Sequence, residues 1–90
     1  MKEYLQPIFD TRKSFYNKAY IVRDYGRIEL YSYNTKVLEI DTLKGIYKLN
    51  YNINTSLLFS NTTLRHIKEC LHQFLGLDYN KSELIENNTK

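Results

Sequence analysis

The side chains able to do chemistry are few, and their spacing argues against catalysis. His66 and His72 are the two histidines. Six residues apart in one helical segment, they lie at different azimuths and cannot share a metal ion without further ligands. His66, near the start of that segment, reads as a polar surface or capping contact. Cys70 is the single cysteine. It excludes an intramolecular disulfide and a cysteine zinc site, and beside an apolar stripe it reads as a small core residue. Neither paired carboxylates nor a Ser/His/Asp order is framed by motif residues. The three glycines are isolated and make no phosphate-cradling loop. The expectation is a non-enzyme with no catalytic residue, no metal and no cofactor.

Recognition by a surface is the remaining chemistry, and composition bounds it. Ninety residues leave room for one small domain. Hydrophobic residues are 42% and charged residues 26%, globular values that exclude a wholly disordered chain. Net charge is +3 with a pI of about 9.0, less basic than most nucleic-acid binders. No apolar run approaches the roughly 20 residues of a bilayer span. The start lacks a basic-then-apolar leader, so no secretory signal is expected and the cytoplasm is the expected compartment.

The elements that position such a surface follow from periodicity. Runs 19–23, 27–32, 36–41 and 46–51 are rich in Ile, Val, Tyr and Leu and recur about every nine residues. With Asp24-Tyr25-Gly26 as a three-residue loop, Val22 faces Ile28 and Tyr20 faces Leu30. A three- or five-residue loop around Asn34 sets Leu30 against Leu38 and Ile28 against Ile40. A four-residue loop, Thr42 to Gly45, sets Ile40 against Tyr47 and Leu38 against Leu49. Each hairpin then turns one apolar set to one face, and a one-residue slip would mix the faces. After Ser60 the period changes. Leu64, Ile67, Leu71, Phe74 and Leu75 form a helical stripe over 62–75. Ser60, Asn61 or Thr62 caps its start and Gly76 its end. Arg65 and Glu69 are an i,i+4 pair.

The expected fold is α+β: a four-stranded antiparallel β-meander followed by one C-terminal α-helix packed on one sheet face. Residues 1–17 read as an N-terminal arm or short helical segment and 18–76 as the domain. Residues 77–90 read as a polar tail with at most one helical turn near Ser82–Glu86.

One helix covers one sheet face, so the other is the candidate site. The register above turns Ile21, Arg23, Arg27, Glu29, Tyr31, Val37, Glu39, Ile46 and Lys48 outward. Glu39 faces Lys48 as a cross-strand pair, while Glu29 facing Glu39 is unfavourable. Tyr and Arg are enriched at the centres of protein interfaces. The partner-binding residues are therefore read as Arg23, Arg27, Tyr31, Tyr33, Val37 and Lys48. A nucleic-acid face is the alternative: Arg12, Lys13, Lys18, Arg23 and Arg27 form a local basic excess, and tyrosines can stack bases. Glu29, Glu39 and Asp41 oppose it, because they repel phosphate.

Three segments carry a resemblance. They are Asp10-Thr11-Arg12-Lys13-Ser14-Phe15-Tyr16-x-Lys18-Ala19, Leu30-Tyr31-Ser32-Tyr33-x-Thr35-x-Val37 and Thr62-Thr63-x-x-His66-Ile67-x-Glu69-x-Leu71-x-Gln73. In this order the chain resembles small uncharacterised proteins from phages and prophages of low-GC Gram-positive bacteria, over about residues 10–74. The stretch 50–59 departs from that pattern. The resemblance carries no function over and implies a short, non-structural phage gene. For a small phage product without catalytic residues, the expectation is a protein that binds and blocks a host macromolecule in the host cytoplasm. Its leading form is an anti-CRISPR inhibitor acting stoichiometrically on a host protein such as a CRISPR effector. A nucleic-acid-binding accessory or regulatory protein is the alternative. A homodimer is a further partner state, and no membrane is implied.

Overall fold

The computed structural model describes residues 2–50 and 61–87. The fold is α+β, with elements β1 (Lys2–Tyr4), β2 (Ala19–Asp24), β3 (Arg27–Ser32), β4 (Thr35–Asp41), β5 (Ile46–Leu49), α1 (Asn61–Leu75) and α2 (Lys81–Glu86). All neighbouring strands are antiparallel, in the order β1-β2-β3-β4-β5. The sheet therefore has five strands rather than the expected four. The addition, β1, has three residues, too few to show a period, and it is fixed by pairing with β2 rather than by its own pattern. Tyr51 and the candidate cap Ser60 lie outside the described residues. Among the described residues no helix is long and apolar enough to cross a membrane.

Two hairpins are tighter than the sequence suggests. Asp24 pairs with Arg27, leaving a two-residue loop, Tyr25-Gly26. Both loop residues have positive φ (45° and 81°), the pattern of a type I′ turn whose twist matches the strands it joins. A Cβ on Gly26 would lie 3.0 Å from Leu43 Cγ, so this position favours glycine on both counts. The shorter loop shifts β2 by one residue, so that Ile21 faces Leu30 and Tyr20 faces Tyr31. Ile21 is consequently buried, and Tyr20 turns to the other face, the reverse of the expected arrangement.

The second hairpin reaches the expected register by another route. Tyr33-Asn34 is also a two-residue loop at positive φ (53° and 66°), with Ser32 opposite Thr35. The ladder then shifts between Leu30 and Tyr31, and Leu30 faces Leu38 as expected. Val37 is the extra residue of this β-bulge. It is completely buried in the core, not outward as its place in a regular strand would require. The β4–β5 hairpin follows the expected register throughout.

Helix α1 covers the face that carries Ile21, Ile28, Leu30, Leu38, Ile40 and Leu49. Ile67, Cys70 and Leu71 are buried with them, each large side chain contributing about 1.5–3 kcal/mol by removal from water. Gly76, at φ 68°, ends the helix, and its N–H donates to the His72 carbonyl at 3.2 Å. The segment after α1 adds Leu84 to the core through α2, whose N-cap Asn80 and Glu83 form a reciprocal capping box. The Tyr47 hydroxyl donates to the Leu84 carbonyl.

Candidate functional site

The open sheet face is built from three cross-strand rows. The first is Tyr4, Tyr20, Tyr31 and Lys36; the second is Lys2, Val22, Glu29, Glu39 and Lys48; the third is Asp24, Arg27, Asp41 and Ile46. Tyr20 and Tyr31 stack nearly parallel, with centroids 4.9 Å apart and planes at 6°. Tyr4 meets Tyr20 edge-on at 6.4 Å, and Lys2 Nζ lies 4.4 Å from the Tyr20 centroid. A cation over a tyrosine face and an offset ring pair each contribute about 0.5–1 kcal/mol. The result is an ordered aromatic strip across three strands.

Beside it lies a charge lattice. Lys36 Nζ bridges Glu29 at 2.6 Å and Glu39 at 3.3 Å, and Arg27 Nε reaches Glu39 at 3.1 Å. Glu29 and Glu39 do face each other, and the repulsion expected of them is relieved by the lysine between them. The Glu29 hydrogen bond holds the Lys36 ammonium above its ordinary pKa, partial burial opposes, and Glu39 adds to the rise. Lys48 stands opposite Glu39, whose carboxylate is engaged by Arg27 and Lys36. Four cations and four carboxylates share the three rows, so this face has no net charge to draw phosphate.

The six expected partner residues separate. Arg27, Tyr31 and Lys48 lie together on the open face. Tyr33 sits at the adjoining turn, 46% exposed. Val37 is in the core. Arg23 follows Ile21 to the helix-covered side, where its guanidinium lies 4.9 Å from the Phe74 centroid and pairs with Glu3. The register slip in β2 accounts for Arg23 and the bulge for Val37. Tyr20, Tyr4 and Lys36 belong to the face instead. The Tyr25-Gly26 dipeptide was the available pointer to Tyr20, because a positive-φ pair defines a two-residue loop.

Residues 6–15 form a strap running antiparallel to α1. Gln73 Nε2 donates to the Gln6 carbonyl at 2.7 Å, Phe9 stacks on His72 at 3.7 Å, and Arg65 Nη1 pairs with Asp10 at 2.9 Å. At its centre the buried Glu69 carboxylate accepts the N–H groups of Phe9 (3.0 Å) and Asp10 (2.8 Å) and the Gln73 amide (2.6 Å). The expected Arg65–Glu69 pair is thus replaced by two separate ties to the strap.

His66 is buried, not on the surface. Its Nδ1 lies 2.8 Å from Ser32 Oγ, which also contacts Thr63 Oγ1 at 3.2 Å, and Phe15 meets its ring edge-on at 4.7 Å. Burial lowers its pKa to about 4; the Asp10 charge opposes and the Arg12 charge adds to the lowering. Ser32 and His66 have the distance of a nucleophile and its base. Both are closed to solvent, so the pair functions as a core hydrogen bond. Burial and the neighbouring Glu69 also push the Cys70 thiol well above its ordinary pKa, which keeps it protonated and inert. Among the described residues no three His, Cys, Asp or Glu side chains are placed to hold a metal ion.

The chain belongs to a family of unknown function (DUF8033), whose model matches residues 4–87. No curated protein and no solved structure matches it.

Proposed function

We propose that this protein acts by binding, seating a host protein on its open sheet face and blocking it stoichiometrically. The tyrosine strip Tyr4–Tyr20–Tyr31 carries the reading. Rings held by one another lose little conformational freedom on binding, and Tyr and Arg dominate interface hot spots. The balanced charge lattice beside the strip suits a protein partner of mixed charge better than a polyanion. The resemblance to phage proteins supplies a phage product, and the expectation for a small non-catalytic one supplies the rest: a target in the host, and a CRISPR effector as the first candidate.

The test is capture from nuclease-treated lysate of a low-GC Gram-positive host carrying CRISPR systems. Wild type is compared with the double variant Arg27→Ala/Tyr31→Ala. Wild type should retain one host protein, and the variant should lose it by 30-fold or more, roughly 2 kcal/mol of hot-spot contact. The variant should stay folded with its thermal midpoint lowered by several degrees, because the Tyr20–Tyr31 stack contributes about 0.5–1 kcal/mol and an exposed ion pair roughly 0–1 kcal/mol. Equal retention by the variant, or no retained protein, refutes the reading.

A further inference from the structure

We infer a second surface, separate from the open-face reading, that binds single-stranded nucleic acid at the end of the sheet where the Tyr16-Asn17 and Tyr33-Asn34 turns meet. The Tyr33 N–H donates to the Lys18 carbonyl at 2.8 Å, and the Lys18 N–H closes the first turn on the Phe15 carbonyl at 3.0 Å. The two turns are thereby locked side by side. Tyr33 is backed by the His66 ring, 6.0 Å away.

Charge distinguishes this end from the open face. No Asp or Glu occurs from Thr11 to Arg23, nor from Leu30 to Leu38. Arg12, Lys13 and Lys18 are exposed, and among the described residues no carboxylate pairs with them. Asp10, the acid nearest in sequence to Arg12 and Lys13, is held by Arg65. Arg23 and Arg27, the other cations of the basic excess, are neutralised by Glu3 and Glu39.

The rings supply the second observation. Tyr16 and Tyr33 have φ of 53° in both cases, a conformation that Gly, Asn and Asp adopt at less cost. Tyr16 is 75% exposed, so no packing repays the strain there. Tyr25 at the opposite end is strained and exposed too, at φ 45° and 99%, but it is flanked by the acid Asp24 and by Arg27, which Glu39 neutralises. At the Tyr16 and Tyr33 turns strained, exposed rings stand instead beside cations that meet no described acid, and that combination points to a contact made outside the molecule. Exposed rings flanked by cations that meet no described acid match what single strands require: a π-face for each base and a positive charge for each phosphate.

The probe is a fluorescein-labelled oligo-dT 15-mer with the full chain, read by anisotropy at 50 and 200 mM NaCl. Three neutralised phosphates predict a loss of roughly twentyfold in affinity between those salts. Lys13→Gln/Lys18→Gln should flatten that dependence to roughly threefold. Tyr16→Asn, which suits the turn and removes the ring, should weaken binding by roughly fivefold to 100-fold without lowering the thermal midpoint. Tyr25→Asn, the same change at the opposite end, should leave affinity unchanged. Absence of binding at 50 mM overturns the inference. So does binding that ignores both end variants, or equal affinity for a polyglutamate peptide of the same charge.

Discussion

The open face and the turn end carry the same residue types in opposite states. On the open face the tyrosines stack on one another and cations meet carboxylates within about 3 Å. At the turn end the rings project from positive-φ positions, and Arg12, Lys13 and Lys18 meet no described acid. Counting Tyr, Lys and Arg cannot separate these surfaces. Pairing does. On the proposed reading, paired charges and stacked rings make a pre-ordered, neutral relief suited to another protein, while exposed rings beside cations that meet no described acid suit phosphates and bases.

The strap packs on α1, away from the open face, and leads directly into the Tyr16-Asn17 turn, so cutting its anchor is the strongest way to separate the two. Glu69→Ala should lower stability by about 2–4 kcal/mol in urea denaturation, because it removes three charge-assisted hydrogen bonds from part-buried donors that tie the strap to α1. Hydrogen exchange should accelerate at the Phe9 and Asp10 amides while β3 and β4 stay protected. Uniform acceleration would show that the strap and sheet open as one unit.

Acid acts on the same side through His66. Folded, the imidazole titrates near 4, while unfolded it titrates near 6.5. Between those values the unfolded chain binds the extra proton, so stability falls as pH falls. The contribution is complete above about pH 6.5 and is lost on approach to pH 4, at a cost of about 2–3 kcal/mol. Thermal midpoints of wild type and His66→Gln across pH 4–7 isolate it: the wild-type slope should be steeper. Parallel profiles would contradict the assignment.

The smallest effect is a gain. Tyr25→Asn creates Asn-Gly at a type I′ turn, where the wild-type ring is 99% exposed. It should raise stability by about 0.5–1 kcal/mol, or a few degrees in the midpoint. A loss would mean that the Tyr25 ring has a structural contact of its own.

Much of the fold was legible because alternation and helical period are local properties. The helix, the β4–β5 register and Cys70 in the core follow from them directly. The β2 register was not, because Ala19-Tyr20-Ile21-Val22 is apolar in both phases and the loop length alone decides which phase is buried. Val37 was hidden in the same way, since a bulge leaves no mark on the pattern. The anchor at Glu69 and the fifth strand depend on contacts across 60 residues in the case of Phe9, which no local pattern encodes. Of the candidate face, Arg27, Tyr31 and Lys48 were readable, whereas Tyr20 and Lys36 required the true register.

The decisive measurement sets the two surfaces against each other in one capture experiment. Wild type, Arg27→Ala/Tyr31→Ala and Lys13→Gln/Lys18→Gln are each used as bait in nuclease-treated host lysate. The account predicts that the first and third retain the same protein and the second loses it. Loss by the lysine variant with retention by the open-face variant would contradict it, and would place the protein partner on the turn end.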